Sequence, residues 1–83
     1  MMRYKILKDA SLRESMRKYK EKGDERWMLF DALIRSSSKD EYMAKVRGFE
    51  KEMTSMTTGK TWKVTPENCF QYVLKNGRID VAE

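Results

Sequence analysis

The sequence predicts a small α+β domain, mostly helical, with the element order β-α-α-α-β-α-β and one sheet of three short strands. Two kinds of pattern support this class: helical stretches that begin at capping signals, and short stretches in which apolar and polar residues alternate. The length of 83 residues suits a single domain over residues 1–83. Hydrophobic residues make up 40% of the chain, enough for a core, and charged residues make up 37%, which indicates a heavily solvated surface.

The first quarter of the chain predicts a strand followed by a helix. Charged and apolar residues alternate over Arg3–Leu7, as in a short half-buried strand. Ser11 and Glu14 have the spacing of a capping box, and Gly23 supplies a left-handed helix end. We therefore expect a first helix over about residues 12–22.

The middle of the chain predicts two further helices. Asp24 is a favourable N-cap for a helix over about residues 25–35, which is apolar around most of its circumference, as a central helix is. A second capping box at Ser38–Glu41 begins a helix over about residues 39–53, with apolar side chains at i, i+4, i+7 and i+11. Gly48 would lie inside that helix and weaken it by about 1 kcal/mol relative to alanine.

The last third predicts a strand, a helix and a strand after a polar turn over residues 54–59. Thr61–Val64 alternates and is rich in β-formers. Thr65-Pro66 begins a helix that Asn76-Gly77 ends, and residues 79–81 alternate as a third strand. Because an isolated hairpin is marginal in water, we expect all three strands in one sheet with the helices on its apolar face.

The chain contains no histidine and one cysteine, and this absence restricts its chemistry. Ser-His-Asp and Cys-His catalysis are excluded, and an ordinary structural zinc site cannot be built. No group of residues meets the combined demands of a nucleophile, a base and an oxyanion donor. We therefore expect a non-enzymatic binding protein with no cofactor and no metal.

Composition also suggests where the protein acts. A lone cysteine, Cys69, forms no internal disulfide and is expected to be a small buried residue. There is no apolar run of membrane-spanning length and no apolar signal core behind the N-terminus, so we expect a cytoplasmic protein with no membrane partner. Compact, basic, methionine-rich proteins of this size resemble accessory products of phages and other mobile elements.

The net charge of +5 is concentrated in residues 1–23, where eight basic and three acidic residues also give +5. A localised basic stripe is typical of contact with nucleic-acid phosphates. The candidates on the first helix are Arg13, Arg17, Lys18 and Lys20. Those around the Thr65-Pro66 helix, whose first turn offers an anion site, are Lys60, Lys63 and Arg78. The alternative in both places is an ordinary solvated surface, since acidic residues interrupt each group.

Four apolar residues are candidates for a protein interface. They are the residues that periodicity leaves free to face outward: Tyr19, Trp62, Tyr72 and Met56. Two function classes therefore remain open. The leading hypothesis is a DNA-binding regulator that uses the basic first helix, and the alternative is a protein-binding inhibitor or adaptor that uses the aromatic and methionine surface. A homodimer formed through the apolar helix 25–35 is a third possibility.

Overall fold

The computed structural model describes residues 2–82, which form four helices and four short strands. In chain order they are β1 (Arg3–Ile6), α1 (Asp9–Glu21), α2 (Trp27–Arg35), α3 (Lys39–Lys45), β2 (Lys51–Thr54), β3 (Thr61–Val64), α4 (Pro66–Lys75) and β4 (Ile79–Ala82). The predicted class, a small and mostly helical α+β domain, is confirmed. The prediction of three strands in one sheet is wrong, because four strands form two separate antiparallel pairs.

The first sheet joins the two ends of the described chain. β1 and β4 pair antiparallel, with Tyr4 opposite Val81 and Ile6 opposite Ile79. Tyr4 and Ile79 are buried, so this sheet forms one side of the core. On its other edge, the backbone N–H of Tyr4 donates to the carbonyl of Ser37 (3.2 Å), which links β1 to the α2–α3 junction.

The core lies between this sheet and the helices, with α1 packed along α2. The buried apolar side chains of α2 are Leu29, Phe30, Ala32 and Leu33. The chain itself therefore covers this side of α2, and the homodimer expected through this helix stays a prediction. None of the helices within residues 2–82 is long and apolar enough to cross a membrane.

The helix α1 begins three residues before the expected start, so its predicted capping box at Ser11 lies inside the helix. The N-cap is Lys8, which makes no side-chain cap hydrogen bond. Instead, the N–H groups of Leu7 and Lys8 both donate to the carbonyl of Arg78 (2.8 and 3.1 Å). The start of α1 is therefore fixed by the turn before β4, a tertiary contact that local sequence does not reveal.

The turn before α2 uses Asp24 much as an N-cap, although the helix itself begins at Trp27 and not at residue 25. The Asp24 carboxylate accepts from the backbone N–H of Arg26 (3.0 Å). The carbonyl of Asp24 accepts from the N–H of Trp27 (3.2 Å), so the chain makes a tight turn over these residues before the regular helix.

The prediction of a helix over residues 39–53 is wrong beyond Lys45. Its start is confirmed, because the Ser38 hydroxyl accepts from the N–H of Glu41 (3.2 Å). Gly48 then adopts a left-handed conformation (φ +84°), which ends the helical path. The next residues form β2, whose side chains alternate between half-buried and exposed.

The second sheet is a hairpin of β2 and β3, and the strand at Thr61–Val64 is as predicted. Met53 lies opposite Trp62, and Lys51 lies opposite Val64. Directly opposed residues share a face of the hairpin. Lys51 and Met53 are half-buried while Glu52 is exposed, so the Met53 and Trp62 face is turned toward the body of the protein.

The helix α4 has the limits that its sequence predicts. The Thr65 hydroxyl accepts from the N–H of Asn68 (3.2 Å), and Pro66 occupies the first helical position. Gly77 follows the helix in a left-handed conformation (φ +74°). Strong local signals at both ends explain the agreement.

Candidate binding groove

A groove of about 520 Å³ opens where α1, α2, β3 and α4 meet. Its floor consists of buried apolar side chains, those of Leu29, Phe30 and Cys69. Burial raises the pKa of the Cys69 thiol to about 11, so this group is protonated at neutral pH. The floor therefore presents an uncharged, largely apolar surface.

Tyr19 and Arg26 form the wall on the side of α1 and α2. The ring of Tyr19 stacks on Phe30 with 5.6 Å between ring centroids. The guanidinium of Arg26 lies 4.4 Å from the centre of the Tyr19 ring, on which it rests as a cation on an aromatic face. The contacts with Phe30 and Arg26 hold Tyr19 in place, and Tyr19 itself packs against the core.

An ion-pair cluster behind this wall joins it to the hairpin. Arg26 Nη2 lies 2.7 Å from Asp24 Oδ2, and Lys51 Nζ lies 3.3 Å from Asp24 Oδ1. The Arg26 guanidinium holds the pKa of the Asp24 carboxyl well below its usual range. Asp24 thus connects the α1–α2 turn to β2 and uses both of its oxygens in doing so.

The opposite wall is formed by Trp62 of β3, which is 48% exposed. Val64, two residues further along, shares the same strand face and packs against the core. The side-chain amide of Asn68 donates to the carbonyl of Lys63 (3.1 Å), which fixes β3 against the first turn of α4. Trp62 is therefore held beside the groove without being covered.

The third wall is Tyr72 of α4, which is 57% exposed. It follows Cys69 by one helical turn and so lies on the same face of α4. The guanidinium of Arg78 lies 6.0 Å from the centre of the Tyr72 ring, and its Nη1 donates to the Ser15 hydroxyl of α1 (3.2 Å). Arg78 therefore spans from α4 to α1 at this end of the groove.

The predicted interface residues are brought together with one exception. Tyr19, Trp62 and Tyr72, which are far apart in the sequence, line this groove. Met56 does not, since it lies fully exposed in the turn between β2 and β3. Sequence reasoning missed Arg26, because its position depends on how α1 and α2 pack and nothing in the neighbouring residues indicates it.

The predicted phosphate contacts are scattered instead. On α1, Arg13 pairs with Asp9 (2.7 Å), and Arg17 pairs with both Glu14 and Glu21. The two arginines that were expected to carry the positive face are thus matched by carboxylates of their own helix. The side chains of these pairs are about half exposed and contribute little to stability, but the carboxylates reduce the net charge of that face.

The remaining basic candidates occupy different parts of the surface. Lys20 Nζ lies 4.9 Å from the centre of the Trp27 ring, and Lys63 pairs with Glu50 (3.2 Å). Lys60 lies exposed just before β3, while Lys18 lies exposed on α1. Of the predicted set, Lys63 lines the groove and Arg78 contacts its wall at Tyr72.

Neither a metal site nor a known relative helps to interpret the groove. Within residues 2–82, no three cysteine, aspartate or glutamate side chains gather as they would around a metal ion. Searches of protein-family models, of curated proteins and of solved structures return no significant match to this chain. The interpretation of the groove therefore depends on its own chemistry.

Proposed function

We propose that this is a non-enzymatic binding protein, an inhibitor or adaptor, whose aromatic groove holds an apolar side chain of a protein partner. The observation that carries the proposal is the convergence of Tyr19, Trp62 and Tyr72, from three separate parts of the chain, around an apolar floor. Exposed aromatic side chains set around a desolvated pocket are the usual composition of an interface hot spot.

The partial exposure of Trp62 and Tyr72 supports the proposal, because other aromatic side chains already fill the core. The core already contains the large buried side chains Tyr42 and Phe70, whose rings lie 5.9 Å apart. Trp62 and Tyr72 leave about half of their surface in water. Burying that surface against a partner would recover roughly 25 cal/mol per Å² of apolar area.

The expectation of DNA contact through α1 receives less support from the geometry. Arg13 and Arg17 are already ion-paired within the helix, so a phosphate would have to displace Asp9, Glu14 or Glu21. DNA binding stays a prediction, and its signature is a steep loss of affinity with salt. We rank it below the groove for this reason.

Replacing Trp62 tests the proposal directly. We expect Trp62→Ala to weaken binding of the partner by at least about 30-fold, or about 2 kcal/mol, because a central aromatic anchor is lost. Because about half of this residue is buried, the unfolding midpoint should fall as well, so affinities are compared under conditions in which both proteins are folded. The measurement is affinity enrichment of partners from host extract, followed by titration of the purified partner with calorimetry.

The matched control is Leu7→Ala, which removes an apolar side chain of similar exposure (51%) that does not line the groove. This variant should retain full affinity. Full retention by Trp62→Ala would contradict the proposal. A retained complex that dissociates steeply with salt and contains DNA would favour the basic helix instead.

A further inference from the structure

We infer that the groove selects a partner segment in which an apolar anchor residue is flanked by carboxylates. This inference rests on the proposed function and names the chemistry of the partner. Its basis is an uneven charge distribution: α1, α4 and the turns that follow them carry cations that form no ion pair within residues 2–82. They are Lys18, Lys22, Lys75 and Arg78.

Their spacing places two of these cations beside the aromatic walls. Lys22 follows Tyr19 by three residues, and Lys75 follows Tyr72 by three residues. Residues three apart on a helix are neighbours on one face. Lys18 likewise follows Ser15, the residue that accepts a hydrogen bond from Arg78. Arg78 therefore borders the groove at Tyr72, and Lys22 and Lys75 extend the positive charge along the helices that carry Tyr19 and Tyr72.

Arg78 is the most specific of the four. It is half-buried between Tyr72 and Ser15, which fixes its position at the rim. A guanidinium carries five N–H donors in a planar fork that matches a carboxylate. The Ser15 bond uses one nitrogen, Nη1, so further donors are free to receive an acidic side chain.

The opposite side of the groove carries no such excess of positive charge. Asp24 and Glu25 together neutralise Arg26 and Lys51, and Glu50 neutralises Lys63. A partner segment that places an apolar anchor on the floor would therefore gain charge complementarity only by directing carboxylates toward α1 and α4. A peptide fits this arrangement better than a phosphate backbone, because it can place an apolar side chain on the floor and a carboxylate beside it.

The test is a selection of random short peptides displayed on yeast, enriched on the wild-type protein and counter-selected on a Trp62→Ala, Tyr72→Ala double variant. We expect enriched sequences that combine an aromatic or long aliphatic residue with neighbouring Asp or Glu. For a synthetic copy of one such peptide, changing its acids to amides should lower affinity about tenfold or more.

A double-mutant cycle assigns that loss to Arg78. Arg78→Gln should weaken the acidic peptide about tenfold and leave its amide version nearly unchanged. The matched control is Arg47→Gln, since Arg47 is exposed, forms no ion pair within the described residues and does not line the groove. If Arg78→Gln does not fold, a Lys22→Gln, Lys75→Gln double variant provides the same comparison and should show part of the effect.

Each contrary result has a distinct meaning. Groove-dependent peptides without acidic enrichment, or a cycle without coupling to Arg78, would overturn this inference and leave the proposed function intact. Enrichment that ignores Trp62 and Tyr72 would overturn both. A poly(dT) strand that displaces the peptide and binds more tightly would overturn the inference in favour of nucleic acid.

Discussion

Cys69 illustrates how position decides the chemistry of a single residue. The sequence predicts a small buried apolar residue, and the structure places it in the floor of the groove with 7% of its surface exposed. Burial raises the pKa of its thiol to about 11, from an ordinary value near 9. Because thiolates and not thiols react with alkylating agents, this cysteine should be inert in the folded protein.

We predict that iodoacetamide modifies Cys69 at pH 8 about a hundredfold more slowly in the folded than in the urea-unfolded protein. The rise in pKa from about 9 to about 11 lowers the thiolate fraction by this factor, and limited access slows the reaction further. The folded rate should keep rising up to about pH 11, while the unfolded rate levels off near pH 9. A folded rate that also levels off near pH 9 would contradict the effect of burial.

At the scale of elements, the limits that were predicted correctly are those that local sequence decides. Thr65-Pro66 and Asn76-Gly77 flank α4. Their local conformational preferences begin and end the helix without contacts from the rest of the chain. The start of α1 depends instead on hydrogen bonds to the carbonyl of Arg78, and β2 depends on pairing with β3. Local periodicity carries no information about such distant partners.

Gly48 provides a test that separates the two interpretations of the α3 region. In a continuous helix, Gly48→Ala would raise stability by about 1 kcal/mol. In the structure, Gly48 has φ +84° and open space at the position that a Cβ would occupy, so only backbone strain opposes a side chain. We therefore predict that Gly48→Ala lowers the free energy of unfolding by about 1–2 kcal/mol, as measured by urea denaturation.

Ala44→Gly is the control for this substitution, because Ala44 lies exposed within α3. It should lower the free energy of unfolding by about 1 kcal/mol through helix propensity alone. An increase in stability for Gly48→Ala would show that the helix runs through this position.

At the scale of the whole molecule, the sequence indicated that Trp62 and Tyr72 face outward, whereas Tyr19, expected to do the same, is half-buried against the core. Packing decided that the three meet. Tyr19, Trp62 and Tyr72 converge because α1 crosses α2 and the hairpin is held against α4. Met56 shares their apolar character but lies in the hairpin turn, away from the groove. The ion pairs of Arg13 and Arg17 on the expected basic face likewise depend on side-chain geometry as well as on the number of charges.

The core as a whole contains three acidic groups that the fold keeps protonated. The hydroxyl of Tyr4 donates to the carbonyl of Leu33 (2.6 Å), and that of Tyr42 donates to the carbonyl of Pro66 (2.7 Å). Burial raises the pKa of Tyr4 to about 12 and raises the pKa of Tyr42 well above its usual range. Cys69, with its own raised pKa, belongs to the same buried cluster.

These groups predict a loss of stability at alkaline pH. A raised folded-state pKa means that the folded state binds the proton more tightly, so the stabilisation is complete below the unfolded pKa values of about 9–10. It is lost as the pH rises from there toward the folded values of about 11–12. A pKa that differs by one between the folded and unfolded states corresponds to about 1.4 kcal/mol, so urea denaturation should show a decline of several kcal/mol between about pH 9 and 12.

Variants separate this effect from the general loss of lysine charge at the same pH. Tyr4→Phe should lower the free energy of unfolding by about 1 kcal/mol at pH 7, because the hydrogen bond to Leu33 is lost, and should make the alkaline decline shallower. Tyr72→Phe, which removes an exposed phenol, should leave the decline unchanged. If Tyr4→Phe declines as steeply as the wild type, ionisation of the Tyr4 phenol does not set the alkaline limit.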